Sequence, residues 1–139
     1  MNGRRVQEPT LYIWKGCRTC AKVLQSMGDL RASFRLVELS SSRLSEQELR
    51  ELLREARLSP SQALRRKHTL YAQLAGRSEE EKLRAMLRDH SLIERPIIRA
   101  QGKAAVVKDE AQLRAFLEAV GLARGAGRAE RPQQRAGQL

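Results

Sequence analysis

The chain contains two cysteines, Cys17 and Cys20, separated by two residues in the run Leu11-Tyr-Ile-Trp-Lys-Gly-Cys-Arg-Thr-Cys20. The pair lies where a short apolar segment is predicted to turn into a helix. At a helix N-terminus, unsatisfied backbone amides and the positive end of the helix dipole favour the thiolate over the thiol. The thiolate is the nucleophilic form, and such positions lower a cysteine pKa from about 8.5 to between about 3.5 and 7.5. The spacing therefore predicts a reactive Cys17.

Other interpretations of the pair are a zinc site and two small core residues. A structural zinc site usually has four ligands, whereas His68 and His90 are not paired with each other and no second CxxC is present. We therefore predict no metal site and expect both histidines to be structural or surface residues. Cys20 lies on the apolar stripe of the predicted helix, so it fits either a core residue or a resolving thiol.

Length and composition indicate one folded domain. The chain has 139 residues, 41% of them hydrophobic, which is enough for one sizeable core. We expect a flexible N-terminus over residues 1–9, one domain over 10–122 and a disordered basic tail over 123–139. Residues 1–8 lack the apolar stretch of a secretion signal, and no segment is apolar enough to cross a bilayer. We therefore expect a cytoplasmic protein, where a permanent disulfide is rare.

The formal net charge of +11 suggests an acidic partner such as nucleic acid, the surface of RNA polymerase or an oxyanion. Only 4% of the residues are aromatic, and glutamates are interleaved with the arginines. Base-stacking surfaces need aromatic side chains, so direct nucleic-acid binding is not expected. A solvated, arginine-rich surface is the simpler interpretation.

The hydrophobic pattern predicts the elements that position the cysteines. Residues 11–14 fit a buried strand, and residues 34–39 alternate as a second strand would. Between them, an apolar stripe predicts a helix that ends at Gly28. Because a helix connects the two strands, they are expected to be parallel. The stripe is formed by Cys20, Val23, Leu24 and Met27.

The rest of the chain predicts a helical insertion over about residues 44–92, then a hairpin and a last helix. Capping-box sequences begin at Ser45 and Ser78, and Pro60 is expected to open a short helix through Arg66. Asp109 is the predicted N-cap of the last helix. The order is β-α-β, a helical insertion, then β-β-α. This order predicts an α/β thioredoxin-like fold with a mixed four-stranded sheet and the insertion between strands 2 and 3.

Three motifs stand in register with these elements: Gly16-Cys-Arg-Thr-Cys20, Ala63-Leu-Arg-Arg-Lys67 and Leu92-Ile-Glu-Arg-Pro-Ile97. In this order and at these separations they resemble the arsenate reductase and Spx family, over about residues 10 to 118. The resemblance implies that Pro96 is a cis-proline facing Cys17. It also implies that Arg66 and Arg95 bind a substrate oxyanion, with Lys108 at the position of a third arginine.

Two positions depart from the arsenate reductase pattern. Ile13 occupies the position where those enzymes have a histidine, four residues before the nucleophile. Lys108 keeps the positive charge of the third arginine but lacks its planar fork. The CxxC pair is commoner in the Spx branch, whose members are redox-sensing regulators that bind RNA polymerase.

The resemblance implies a thiol-disulfide redox protein that reduces an arsenate-like oxyanion or a disulfide substrate. Cys17 would attack the substrate, and Cys20 would then displace the adduct as a disulfide. No tightly bound cofactor is expected; electrons would come from a thiol reductant such as glutathione or thioredoxin, with glutaredoxin or thioredoxin as partners. The alternative is an Spx-like transcriptional regulator that binds RNA polymerase, since one fold can serve either role.

Overall fold

A mixed four-stranded sheet organises residues 8–122, the part of the chain that the computed structural model describes. The strands are β1 (Thr10–Ile13), β2 (Arg35–Glu38), β3 (Ile97–Ala100) and β4 (Lys103–Val106), in the order β2-β1-β3-β4. β1 pairs in parallel with β2 and antiparallel with β3, and β3 and β4 form an antiparallel hairpin. The predicted mixed sheet is confirmed. The predicted tail over 123–139 and most of the predicted flexible N-terminus lie outside the described residues.

One face of the sheet carries the helix that follows the cysteine pair. Helix α1 (Arg18–Met27) and a 3-10 turn (Gly28–Ser33) connect β1 to β2, and α6 (Glu110–Ala119) follows β4. The apolar stripes of α1 and α6 pack against this face in one buried cluster. Its largest contributions from β1 and β3 are Leu11, Ile13 and Ile98. The cysteine pair therefore lies at the end of a strand that is held on both sides by the sheet.

The other face is covered by the helical insertion between β2 and β3. Its helices are α2 (Glu46–Ala56), α3 (Pro60–Ala63), α4 (Tyr71–Leu74) and α5 (Glu79–Arg88). The leucines of α2 and α5 bury a second apolar cluster against Tyr12 and Ile97. No helix within residues 8–122 combines the length and the apolarity needed to cross a membrane.

The third helix is shorter than the sequence predicts, and the difference matters for the site. The helix expected through Arg66 ends at Ala63. Leu64 is extended instead and forms a bridge with Ile93, while the Glu94 N–H donates to the Ala63 carbonyl at 2.9 Å. These bonds to a distant segment replace the next helical turn. They bring the Arg66 backbone beside the residues that lead into β3.

Candidate active site

Cys17 is the N-cap residue of α1. Its Sγ accepts the backbone N–H of Cys20 at 3.4 Å. The tight turn before it is closed by a hydrogen bond from the Cys17 N–H to the Trp14 carbonyl at 3.1 Å, and Gly16 adopts φ +87°, where a side chain would be strained. The turn and the cap together direct Sγ at the free amides of the first helical turn.

Opposing effects act on the pKa of the half-buried Cys17 thiol. Burial raises the pKa, whereas the backbone N–H and thiol of Cys20 and the guanidinium of Arg95 lower it, and the net result is a lowered pKa. Hydrogen bonds to the charged form and a nearby positive charge both stabilise a thiolate. Cys17 therefore ionises more readily than a free cysteine.

Cys20 has the opposite character. Only 2% of the residue is exposed, and it packs in the cluster beneath α1. Burial raises the pKa of the Cys20 thiol to about 12, with a further increase from the neighbouring Cys17, although the Trp14 N–H lies 3.5 Å from its Sγ and lowers the pKa in part. Both cysteines are free thiols in the structure. The site thus combines one readily ionised thiol with one that stays protonated near neutral pH.

Arg95 is the cation that acts on Cys17. It is only 7% exposed, and its guanidinium carbon lies 4.8 Å from the centroid of the Trp14 ring. Its Nη1 donates to the Ser91 carbonyl at 3.2 Å. Within residues 8–122 no carboxylate forms an ion pair with it, so its charge is not cancelled by an acidic partner. The peptide bond from Arg95 to Pro96 is cis.

Lys108, unlike Arg95, is paired with a carboxylate. Its Nζ donates to Glu94 Oε1 at 2.8 Å and to the backbone carbonyl of Arg95 at 2.8 Å. The ammonium therefore holds the main chain beside Pro96 and is neutralised by a carboxylate. Lys108 also lines a groove between α1 and the start of α6, together with Asp109.

Arg66 approaches the site through its backbone. Its N–H donates to Glu94 Oε2 at 3.3 Å, whereas its exposed guanidinium lies over the ring of Tyr71, with the guanidinium carbon 5.8 Å from the ring centroid. The family resemblance assigns Arg66, Arg95 and Lys108 to oxyanion binding. Among the described residues, Arg95 is the one whose guanidinium acts on the thiol, and the other two positions meet at Glu94.

Glu94 lies next to the site, and no sequence motif singled it out. Its side chain is 16% exposed, and its two carboxylate oxygens bond Lys108 and Arg66. It also directly precedes Arg95. A position next to the motif arginine is a weak signal, because its partners come from segments that only the folded chain brings together.

Both histidine side chains are held by hydrogen bonds within the fold. Each ring bonds through both nitrogens, His90 at 3.0 and 2.8 Å and His68 at 3.0 and 2.9 Å. This agrees with the structural role expected for them. Residues 8–122 contain no group of three or more histidine, cysteine or acidic side chains placed to hold a metal ion. The partners are Leu44 and Met86 for His90, and Leu70 and Ser91 for His68.

Comparison with known proteins points to one family. The model of the ArsC family matches residues 12–116. A candidate arsenate reductase from Yersinia pestis, of known structure, is 29% identical with a TM-score of 0.67, covering 76% of this chain and 96% of that chain. An arsenate reductase from Vibrio cholerae is 22% identical with a TM-score of 0.68, covering 78% of this chain and 96% of that one. No curated protein matches the chain significantly.

Proposed function

This chain belongs to the ArsC family and is a thiol redox protein of that family, and we propose that Cys17 is its nucleophile and Cys20 its resolving thiol. The observation that carries the proposal is the contrast between the two thiols. Cys17 caps a helix beside Arg95 and has a lowered pKa, whereas Cys20 is buried with a pKa raised to about 12. An ionised attacking thiol next to a protonated second thiol suits a two-step reduction.

With arsenate as substrate, the first step forms a bond between Cys17 Sγ and arsenic. One arsenate oxygen takes up protons and leaves as water. In the second step the Cys20 sulfur, having lost its proton, attacks Cys17 Sγ and forms the S–S bond. The electron pair of the S–As bond stays on arsenic, which leaves as arsenite. Per turnover, one arsenate and two thiols give one arsenite, one water and one disulfide.

With a disulfide as substrate, the same two thiols act in the same order. Cys17 attacks one sulfur and releases the other half of the substrate as a thiol. Cys20 then attacks the mixed disulfide at Cys17 Sγ and releases the second half. The Cys17–Cys20 disulfide is returned to two thiols by two equivalents of glutathione or by reduced thioredoxin, with glutaredoxin as a further candidate partner.

Arg95 has two roles in this proposal. Its guanidinium stabilises the Cys17 thiolate before attack, and it offers hydrogen bonds to a negatively charged substrate oxygen. The Trp14 ring and the Ser91 carbonyl hold it in place. Because no carboxylate within the described residues is paired with it, its charge is available to the reacting groups.

The test is thiol-dependent reduction of arsenate and of a small disulfide by the purified protein, with Cys17→Ser and Cys20→Ser as matched variants. We expect C17S to abolish both activities. C20S should retain formation of a mixed disulfide with Cys17 but lose its intramolecular release, which mass spectrometry detects as a trapped adduct. Activity in C17S equal to that of the wild type would overturn the proposal.

The alternative, a regulator that binds RNA polymerase, would use the same thiol pair as a switch. No contact within residues 8–122 favours it over the enzyme. Pull-down of purified RNA polymerase by the oxidised and the reduced protein tests it directly. Capture in one redox state alone, by a protein without reductase activity, would support the regulator.

A further inference from the structure

Glu94 links all three positions that the family resemblance assigns to oxyanion binding. Its Oε1 accepts Lys108 Nζ at 2.8 Å, its Oε2 accepts the Arg66 N–H at 3.3 Å, and it is bonded through the chain to Arg95. The carboxylate is largely shielded from water, with 16% of its side chain exposed. It is therefore a fixed negative charge within the cationic part of the site.

The pairing changes what Lys108 can offer to a ligand. The ammonium has three N–H donors, and two of them are taken by Glu94 and by the Arg95 carbonyl. A ligand that recruits Lys108 must compete with a carboxylate already at hydrogen-bond distance. Taken together, Glu94, Arg95 and Lys108 present a single net positive charge instead of two.

We infer that Glu94 is a specificity-determining residue of the Cys17 site, which weakens the binding of doubly charged oxyanions relative to uncharged disulfides. The inference rests on the proposed function, since it names which of the two substrate classes the site favours. A dianion near Arg95 is repelled by Glu94 twice as strongly as a monoanion, whereas a neutral disulfide is not repelled. Shielding from water reduces the screening of this repulsion by salt.

The probe is protection of Cys17 against alkylation by inorganic phosphate, an unreactive tetrahedral oxyanion of the same shape and charge as arsenate. An anion bound at Arg95 covers the thiolate, so the half-protecting phosphate concentration measures binding without any turnover. In parallel, reduction of bis(2-hydroxyethyl) disulfide measures the reaction with an uncharged substrate. Both are read at a pH at which Cys17 is fully ionised in every variant.

Glu94→Gln keeps the shape of the side chain and an acceptor for Lys108 but removes the negative charge. We expect it to lower the half-protecting phosphate concentration by on the order of tenfold. The rate with the uncharged disulfide should change by less than about twofold. Glu118→Gln is the matched control, because Glu118 is an exposed carboxylate at the far end of α6 and carries the same charge change.

Two further variants keep the result interpretable. Glu94→Asp retains the negative charge and should not reproduce the gain in phosphate binding. Lys108→Met, introduced together with Glu94→Gln, returns these three positions to one net positive charge and should therefore remove most of the gain. Circular dichroism and urea unfolding establish that each protein is folded, and Glu94→Ala supplies the same neutralisation if the glutamine variant folds poorly.

Equal phosphate protection in wild type and E94Q would overturn the inference, as would an equal gain in the E118Q control or an equal gain with the uncharged disulfide. Failure of the proposed function can be distinguished from failure of this inference. A protein that reduces neither arsenate nor disulfides can still show phosphate protection of Cys17 that depends on Glu94.

Discussion

Arg95 and Arg99 are four residues apart on the segment that leads into and forms β3, and both are almost fully buried, yet their surroundings differ. Arg99 is 2% exposed, and its Nε and Nη2 donate to the Glu55 carboxylate at 2.7 and 3.0 Å. Its Nη1 also donates to the Tyr12 hydroxyl at 3.1 Å. Arg95 has a backbone carbonyl and the face of Trp14 as its neighbours.

The difference indicates that the charge of Arg99 stabilises the fold, whereas the charge of Arg95 acts on the reactive thiol. Burial disfavours the charged form of Arg99, but the hydrogen bonds that Arg99 donates to Glu55 and Tyr12 outweigh it, so the pKa of Arg99 is raised and its charge is fully paired. Such a pair fixes α2 against β3. Arg95 lacks an acidic partner within the described residues, and its charge acts on Cys17 instead. The first two predictions below each change one of these arginines and measure both stability and the reactivity of the site; the next two test the surroundings of Cys17.

The largest expected effect on stability comes from Arg99→Met. It leaves the largely shielded Glu55 carboxylate, whose side chain is 16% exposed, without its partner, which should lower the free energy of unfolding by about 3 kcal/mol. The reactivity of Cys17 should stay at the wild-type level. Urea denaturation and the rate of Cys17 alkylation measure the two quantities, and Arg54→Met on the exposed side of α2 is the control. Slower alkylation of Cys17 in R99M than in the wild type would show that Arg99 also acts on the thiol, and would contradict the distinction between the two arginines.

Arg95→Met should give the reverse pattern. Loss of the guanidinium should lower kcat/KM for thiol-dependent reduction by about tenfold or more, because both the thiolate and the substrate anion lose a charged hydrogen-bond donor. The free energy of unfolding should change by about 1 kcal/mol or less, since no buried carboxylate is left unpaired. A loss of stability as large as that of R99M would contradict the comparison.

The Cys17 region should also respond to alkaline pH. The folded pKa of Cys20 is raised to about 12, so the thiol proton is retained in the native state while the unfolded chain loses it above about pH 8.5. The protonated Cys20 thiol therefore contributes its full stabilisation below that pH. Above it, the free energy of unfolding falls by about 1.4 kcal/mol per pH unit until the pH approaches 12. Urea titrations of the reduced protein between pH 8 and 10.5 should show this extra slope relative to Cys20→Ala. Equal slopes would place Cys20 in a less buried environment.

The smallest effect is expected for Trp14, which positions Arg95. A cation over an aromatic face contributes about 1 kcal/mol, so Trp14→Leu should slow Cys17 alkylation at neutral pH by about fivefold. Trp14→Phe keeps a ring under the guanidinium and should restore most of the rate. Equal rates for the leucine and phenylalanine variants would mean that packing, and not the ring face, holds Arg95.

Local sequence signals predicted much of the fold. Gly28 ends α1, the Asp109 side chain caps α6, and both bonds of the capping box form at Ser78. At Ser45 the box forms only in part, because the Glu48 carboxylate accepts the Tyr12 hydroxyl at 3.1 Å. Partners distant in the sequence likewise ended α3 at Ala63. Signals within one segment can be predicted from the sequence. Hydrogen bonds from a distant segment, which compete with those local signals, cannot.

The same limit applies to the site. The sequence predicted the position of Cys17 at a helix start, and that position alone supplies amides that favour a thiolate. It did not predict that Glu94 would take Lys108, or that Arg66 would turn its guanidinium to Tyr71. Charge counts cannot show which cations are already paired, since pairing depends on distances set by the whole fold.

In our interpretation Cys17 is an activated thiol because the N–H and thiol of Cys20, together with the charge of Arg95, stabilise its thiolate. The most direct measurement is a pH titration of the rate of Cys17 alkylation in the wild type, Arg95→Met and Arg99→Met. We predict an apparent pKa below the value of about 8.5 for free cysteine in the wild type and in R99M, and a higher value in R95M. A wild-type pKa at or above that of free cysteine, or the same pKa in R95M, would contradict it.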